Sequence, residues 1–154
     1  MSISVEIIEF REELAPYFKE LNVAWLQKYF YVEPIDEEML SNPSSYFIEK
    51  GGHIFFATVN GKVAGTFALM KQADGSYELS KMAVDEQFQG QKVGNKMLAF
   101  CLEKATALGA NKVILYSNTL LGPAIHLYKK FGFEEVPLGE VDYERANIKM
   151  ERVL

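Results

Sequence analysis

The run from Tyr77 to Asn95 reads Tyr-Glu-Leu-Ser-Lys-Met-Ala-Val-Asp-Glu-Gln-Phe-Gln-Gly-Gln-Lys-Val-Gly-Asn. An alternating strand pattern ends at Val84, a short polar loop follows, and a glycine-bearing segment leads into a helical pattern. Such a turn aims successive backbone N–H groups and the positive end of a helix dipole at one point, which suits a pyrophosphate. Gly90 and Gly94 serve that use, and they serve equally an ordinary strand-to-helix turn that needs close backbone packing; for a glycine pair alone the ordinary turn is the commoner case. Their spacing is neither that of a P-loop nor that of a dinucleotide fingerprint. Other reactive side chains are scattered. Cys101 falls on an apolar helical stripe with no histidine at a telling spacing, which places it in the core. His53 and His126 stand alone, and no metal-ligand spacing is present, so no metal is expected.

A scaffold must position these residues. The chain has 154 residues, 49% of them hydrophobic, 13% aromatic and 24% charged, a composition that folds. There is no repeat, low-complexity tract or linker, and the length suits one core, so residues 1–154 are expected to form a single domain. One cysteine excludes an internal disulfide. With no secretory segment near Met1 and no apolar run approaching the ~18 residues of a membrane span, a soluble, cytoplasmic protein of a reducing compartment is expected, with no membrane partner. The net charge of −5 argues against a nucleic-acid partner, because that affinity rests on neutralising phosphates with Lys and Arg.

Alternation from Ile3 to Ile8 predicts an opening strand, and Leu14, Tyr17, Phe18, Leu21, Trp25, Leu26 and Tyr29 predict an amphipathic helix over Glu12 to Tyr29. A short helix over Asp36 to Leu40 is expected between two loops. Strands are predicted at His53 to Val59, Lys62 to Met70 and Tyr77 to Val84; Asn60-Gly61 supplies a hairpin turn and Asp74-Gly75 a second tight turn, giving an antiparallel meander. On the third strand Glu78 shares parity with Ser80 and Met82. A helix then runs from Val93 to Leu108 and stops at Gly109, a strand covers Lys112 to Tyr116, and a second helix runs from Pro123 to Phe131 with Gly132 as its stop. Strands at Phe133 to Val136 and Ala146 to Val153 complete a mixed α/β fold.

The run after the Ala83-Val84 strand end resembles the central motif of the GNAT superfamily of N-acetyltransferases: Gln or Arg, two residues, Gly, one residue, then Gly or Ala. Gln89 and Gly94 match its ends, Gly90 and Val93 match usual intervening residues, and the middle glycine is Lys92 here. Ala124, Tyr128, Gly132 and Phe133 match the family's second motif. The asparagine often found seven residues before that tyrosine is Leu121, with Asn118 nearby. The close match covers Tyr77 to Phe133, a little over a third of the chain. The resemblance implies a six- or seven-stranded, mostly antiparallel mixed sheet flanked by about four helices.

It also implies function: transfer of an acetyl group from acetyl-CoA to the amine of a small molecule, such as a polyamine, or of a peptide, by direct attack in a ternary complex. Backbone amides from Gln91 to Asn95 would cradle the pyrophosphate, the Met82-Ala83-Val84 edge would pair with the pantetheine, and an N–H near Met82 would polarise the thioester carbonyl. Gln89, Gly90, Lys92, Val93, Gly94, Asn118 and Tyr128 complete the implied cofactor set. In the family the equivalent of Tyr128 is treated as a general acid toward the cofactor sulfur. With ordinary pKa values near 10 and 8.5, that transfer runs about 2 kcal/mol uphill, so a hydrogen bond to the sulfur is the sounder description; the plain alternative is a core aromatic. Glu78 is the candidate base, or else an exposed strand carboxylate. Glu33, Asp36, Glu37 and Glu38 form an acidic cluster that would attract a cationic amine or simply be a solvated face. Trp25, Tyr29, Phe30 and Tyr31 offer a substrate-pocket lining, though helical spacing favours core packing for most of them, while Tyr143 and Arg145 stand before the last strand, where spacing leaves open whether they approach the acceptor site. A homodimer is compatible with the family. The rival reading is a coenzyme-A-binding sensor or interaction module without turnover, motivated by Lys92 and Leu121.

Overall fold

The computed structural model describes residues 4–141 and 143–154. Among the described residues seven strands form one sheet in the order β1-β2-β3-β4-β5-β7-β6. They are β1 (Val5–Glu9), β2 (His53–Val59), β3 (Lys62–Lys71), β4 (Tyr77–Val84), β5 (Lys112–Ser117), β6 (Glu134–Val136) and β7 (Ile148–Val153). Every neighbouring pair is antiparallel except β4 and β5. The α-helices are α1 (Ala15–Tyr29), α2 (Pro34–Ser41), α3 (Val93–Ala107) and α4 (Gly122–Lys130). The mixed, mostly antiparallel sheet with flanking helices is the expected architecture; the expected start of the first strand at Ile3 lies outside the described residues.

The sheet separates two apolar layers. On one face α3 packs Met97, Leu98, Cys101 and Ala105, and α4 packs Ile125 and Leu127, against a layer that includes Phe55, Phe67 and Leu79. On the other, Phe18 and Leu26 of α1 and Leu40 of α2 meet Ile54, Phe56 and Ala68. Only part of the predicted α1 stripe is buried, because Tyr17 and Tyr29 remain 44% and 43% exposed. The segment expected as a loop after α2 is instead a wide helical turn, Ser44–Ile48, that buries Phe47 edge-on to Phe18 with ring centroids 5.7 Å apart. Asn60 and Gly61 take φ of 51° and 82°, as a two-residue hairpin turn requires.

One irregularity matters for the site. The β3–β4 register pairs Ala68 with Ser80 but Thr66 with Ala83, so β4 carries an extra residue at a bulge, and there Lys81 adopts φ 53°. The bulge breaks the expected alternation. Tyr77 and Leu79 belong to the apolar layer under α3, and after the bulge Met82 and Val84 pack against that same layer. Glu78 and Ser80 therefore do not share parity with Met82.

Candidate functional site

Strands β4 and β5 run side by side only at Tyr77–Val113 and Glu78–Ile114. Beyond that point they part, and among the described residues the β5-facing edge of β4 from Leu79 to Val84 has no strand partner. The gap opens into a cavity of about 480 Å³ whose wall includes Met82, Ala83, Val84, Gly94, Asn118 and Tyr128. That volume suits a small-molecule or cofactor site. Trp25 of α1 and Phe30 just after it also line it, with ring centroids 5.9 Å apart; Trp25 at the same time packs against the core layer beneath α1, as helical spacing predicts, while Tyr31 is 52% exposed.

The N-terminus of α3 points into the same space. Its first intrahelical bond runs from the Lys96 N–H to the Lys92 carbonyl, and no side chain caps the start, so the N–H groups of Val93, Gly94 and Asn95 keep the unsatisfied donors of a helix beginning. Lys92 takes φ 61°, ψ 27°, so the residue standing at the family's usual glycine keeps the left-handed turn at the strain of its Cβ. Gln89, Gly90, Lys92, Val93, Gly94 and Asn95 all line the cavity. Gln91 does not, and its N–H is given to the Phe88 carbonyl at 3.3 Å, which closes the preceding turn. The expected donor run therefore starts at Lys92. Asn118 lines the cavity too, with its amide engaged: Nδ2 donates to the Arg145 carbonyl at 2.7 Å and Oδ1 accepts from the Leu120 N–H at 2.8 Å.

Tyr128 reaches the cavity from α4, its ring edge-on to Phe133 at 5.9 Å. Burial, with a smaller push from Cys101, raises its hydroxyl to about 12. Against a thiol near 8.5, full proton donation would then run about 5 kcal/mol uphill, so this hydroxyl is suited to donating a hydrogen bond. Cys101 is fully buried, and burial raises its thiol to about 12, which agrees with a core cysteine. Among the described residues no group of three or more His, Cys, Asp or Glu is placed to hold a metal ion.

Glu78 lines both this cavity and a second hollow of about 380 Å³, sharing that position with Ser80 and Tyr143. The acidic cluster divides. Glu37 and Glu38 are exposed, whereas Glu33 and Asp36 are buried and paired. Asp36 accepts from Lys81 Nζ at 2.6 Å, and Arg145 gives NH1 and NH2 to its two oxygens at 2.7 and 3.0 Å. Arg145 NH1 also donates to Glu33 at 2.8 Å. The Tyr143 ring lies 4.5 Å from Lys81 Nζ and 4.5 Å from the Arg145 guanidinium carbon. Burial opposes ionisation of Asp36, but the Arg145 and Lys81 hydrogen bonds outweigh it and hold its carboxyl below the usual range. Burial pulls the Lys81 ammonium below its usual value, against the pull of Asp36. Sequence reading missed Lys81, whose place in a strand of alternating burial gives no sign of a partner 45 positions away.

These geometric features agree with comparisons to known proteins. The family described as "Acetyltransferase (GNAT) domain" matches residues 50–135, more than half of the chain. The chain is 26% identical over 101 residues to a probable N-acetyltransferase camello of Xenopus tropicalis, a match spanning 64% of this chain and 46% of that protein. A GNAT-family acetyltransferase from Staphylococcus aureus Mu50 superposes with a TM-score of 0.88 at 20% identity, over 97% of this chain and 99% of the other. A Bacillus subtilis acetyltransferase solved in complex with CoA superposes at 0.72 with 19% identity, over 99% of each chain. The parted parallel strands, the uncapped helix facing them and the family match lead to one assignment: the chain belongs to the GNAT family of acetyltransferases.

Proposed function

We propose that the protein transfers the acetyl group of acetyl-CoA to a primary amine of a small molecule or peptide, by direct attack while both are bound. The observation that carries this reading is the meeting, in one cavity, of the unpartnered β4 edge, the free N–H groups of α3 and Glu78. The chain's donors fit coenzyme A: three N–H groups and a helix dipole suit a pyrophosphate, and an open strand edge suits the amide-bearing pantetheine arm. When bound, acetyl-CoA supplies an activated acetyl carbon and a sulfur leaving group.

In this reading Lys92, Val93, Gly94 and Asn95 hold the phosphates, with Gln89 and Gly90 shaping the turn before them. Met82, Ala83 and Val84 align the arm, and the Met82 N–H stabilises negative charge on the thioester oxygen. Tyr128 donates a hydrogen bond toward the sulfur as the carbon–sulfur bond breaks. Glu78 takes the proton from the attacking amine, which at an ordinary pKa near 10.4 is mostly protonated at neutral pH. Asn118 braces the cavity wall by tying the Arg145 carbonyl to the loop before α4. An acyl-enzyme on Cys101 is disfavoured, because its thiol is buried and raised to about 12.

Free-thiol release from acetyl-CoA, followed with polyamines, amino acids, aminoglycosides and peptides, tests the reading. Release is expected with at least one amine, and Tyr128→Phe is expected to lower kcat by ~10- to 100-fold, the loss of one charge-assisted hydrogen bond. Equal rates in wild type and Tyr128→Phe would remove the hydroxyl's role. Binding of CoA with no release on any amine would overturn the enzyme reading in favour of a binding module.

A further inference from the structure

We propose that Asp36 is the positioning residue of acetyl transfer: by gripping Lys81 and Arg145 together, it locks the β4 bulge that aims the Met82 N–H into the cavity. This inference rests on the acetyltransferase reading above and adds a residue outside the cofactor cradle.

The bulge is unusual in its sequence. A left-handed residue in a strand is ordinarily glycine, yet here it is Lys81 at φ 53°. Such a backbone persists where the surroundings over-determine it. The surroundings here are a tether: the Lys81 side chain is 3% exposed and ends 2.6 Å from Asp36 Oδ1, while the Asp36 side chain is 0% exposed. Asp36 is itself fixed from several directions. Oδ1 also accepts from Arg145 NH2, and Oδ2 accepts from Arg145 NH1 and, at 3.0 Å, from the Glu33 N–H. Glu33 holds the same loop from its other side, accepting from Arg145 NH1 and from the Glu144 N–H at 2.9 Å. One carboxylate thus joins α2, β4 and the loop before β7, and both cations it holds line the cavity.

An ion pair that served stability alone could join these elements at any depth. This one is attached to the strained residue immediately before Met82, and its two cations flank the Tyr143 ring at the junction of the two hollows. The network therefore sets, together, the direction of the Met82 N–H and the wall against which an acceptor lies. Neither the α3 N-terminus nor the Ala83-Val84 edge is hydrogen-bonded to it, so turnover should fall further than cofactor affinity.

Asp36→Asn keeps the side chain's size and an acceptor for the Glu33 N–H but removes the charge. Lys81→Met removes the ammonium while Asp36 keeps Arg145, so it remains informative if Asp36→Asn does not fold. Both variants are expected to lose at least tenfold in kcat while the Kd for CoA, by calorimetry, stays within twofold. Lys81→Gly, which tolerates the left-handed backbone without a tether, is expected to regain part of the kcat that Lys81→Met loses. A merely structural role would lower kcat and CoA binding in parallel with the folded fraction, and that result, or kcat within twofold of wild type in both variants, overturns the proposal. A second readout needs no turnover: the φ-sensitive amide coupling of Lys81 should report a left-handed residue in wild type and shift toward the extended value in Asp36→Asn. An unchanged coupling overturns the proposal. Absence of thiol release by the wild type would instead count against the function proposed above, and the coupling would still decide the role of Asp36.

Discussion

Replacing Gly94 by alanine should move stability and cofactor affinity in opposite directions. A Cβ at this position would stand 3.4 Å from Leu127 Cδ2 and 3.9 Å from Met82 Cε, ordinary contacts that the folded chain accepts without rearrangement. Alanine is the better helix former by about 0.5–1 kcal/mol, which for a domain of this size raises Tm by roughly 1–4 °C. The same methyl enters the cavity wall among the N–H groups of Val93, Gly94 and Asn95. A pyrophosphate lying against the bare Gly94 backbone would meet this added methyl, which takes room the phosphate needs at the helix start, so it must retreat. Losing even one charge-assisted hydrogen bond, about 1.5–3 kcal/mol, weakens CoA binding by at least about tenfold. Thermal melts and calorimetry on the same preparation measure both quantities. A stability gain with unchanged CoA affinity would refute the cradle at Gly94, and a loss of both would show that the position is structural.

Lys92→Gly should leave Tm unchanged or raise it by up to ~2 °C, because relief of about 1 kcal/mol of left-handed strain is partly offset by the freer unfolded chain, and the salt dependence of CoA binding should flatten; a marked fall in Tm would refute the strain. Glu78→Gln should slow turnover most at low pH, where removing the amine's proton is hardest, and an unaltered pH–rate profile would eliminate Glu78 as the base. Asp36, held below the usual carboxylate range, contributes stability that is present above its unfolded pKa near 3.9 and is lost as pH falls through the lower folded value. The urea midpoint of the wild type should therefore drop more steeply between pH 5 and pH 3 than that of Asp36→Asn, and parallel curves would refute the linkage.

What local periodicity encodes was legible. The strands at His53–Val59 and Tyr77–Val84, the Asn60-Gly61 hairpin and the α3 stripe are set by residues within a few positions of one another, and they appear where the sequence puts them. The wide turn at Ser44–Ile48 was not legible, because Phe47 orders it by reaching Phe18 across the chain. The bulge at Lys81 was hidden for a related reason. It is a property of how β4 pairs with β3, and nothing in the β4 sequence alone distinguishes one alternation from two halves out of step. The family resemblance located the Gln89 to Asn95 segment and Tyr128 at the cavity, whereas the exclusion of Gln91 depended on one backbone hydrogen bond closing the turn.

The charge reading changes most between sequence and structure, and the change bears on the acceptor. Four acids between Glu33 and Glu38 read as a lure for a cation or a solvated face, yet Glu33 and Asp36 are neutralised by Lys81 and Arg145, partners up to 112 positions away. Contact electrostatics of that range has no signature in local spacing. Among the described residues lining the main cavity, Glu78 is the one carboxylate, while Lys81, Lys92 and Arg145 are its cations. A polyamine entering there would find no second carboxylate on the wall for its second ammonium, because Glu33 and Asp36 are already paired with Arg145 and Lys81. A monoamine whose remainder is neutral would meet Glu78 at its amine and need no second acid. The amine panel therefore carries a ranking as well as a yes-or-no answer: single amines with a neutral remainder should turn over ahead of polyamines, and the reverse order would show that the single lining carboxylate does not set the choice of acceptor.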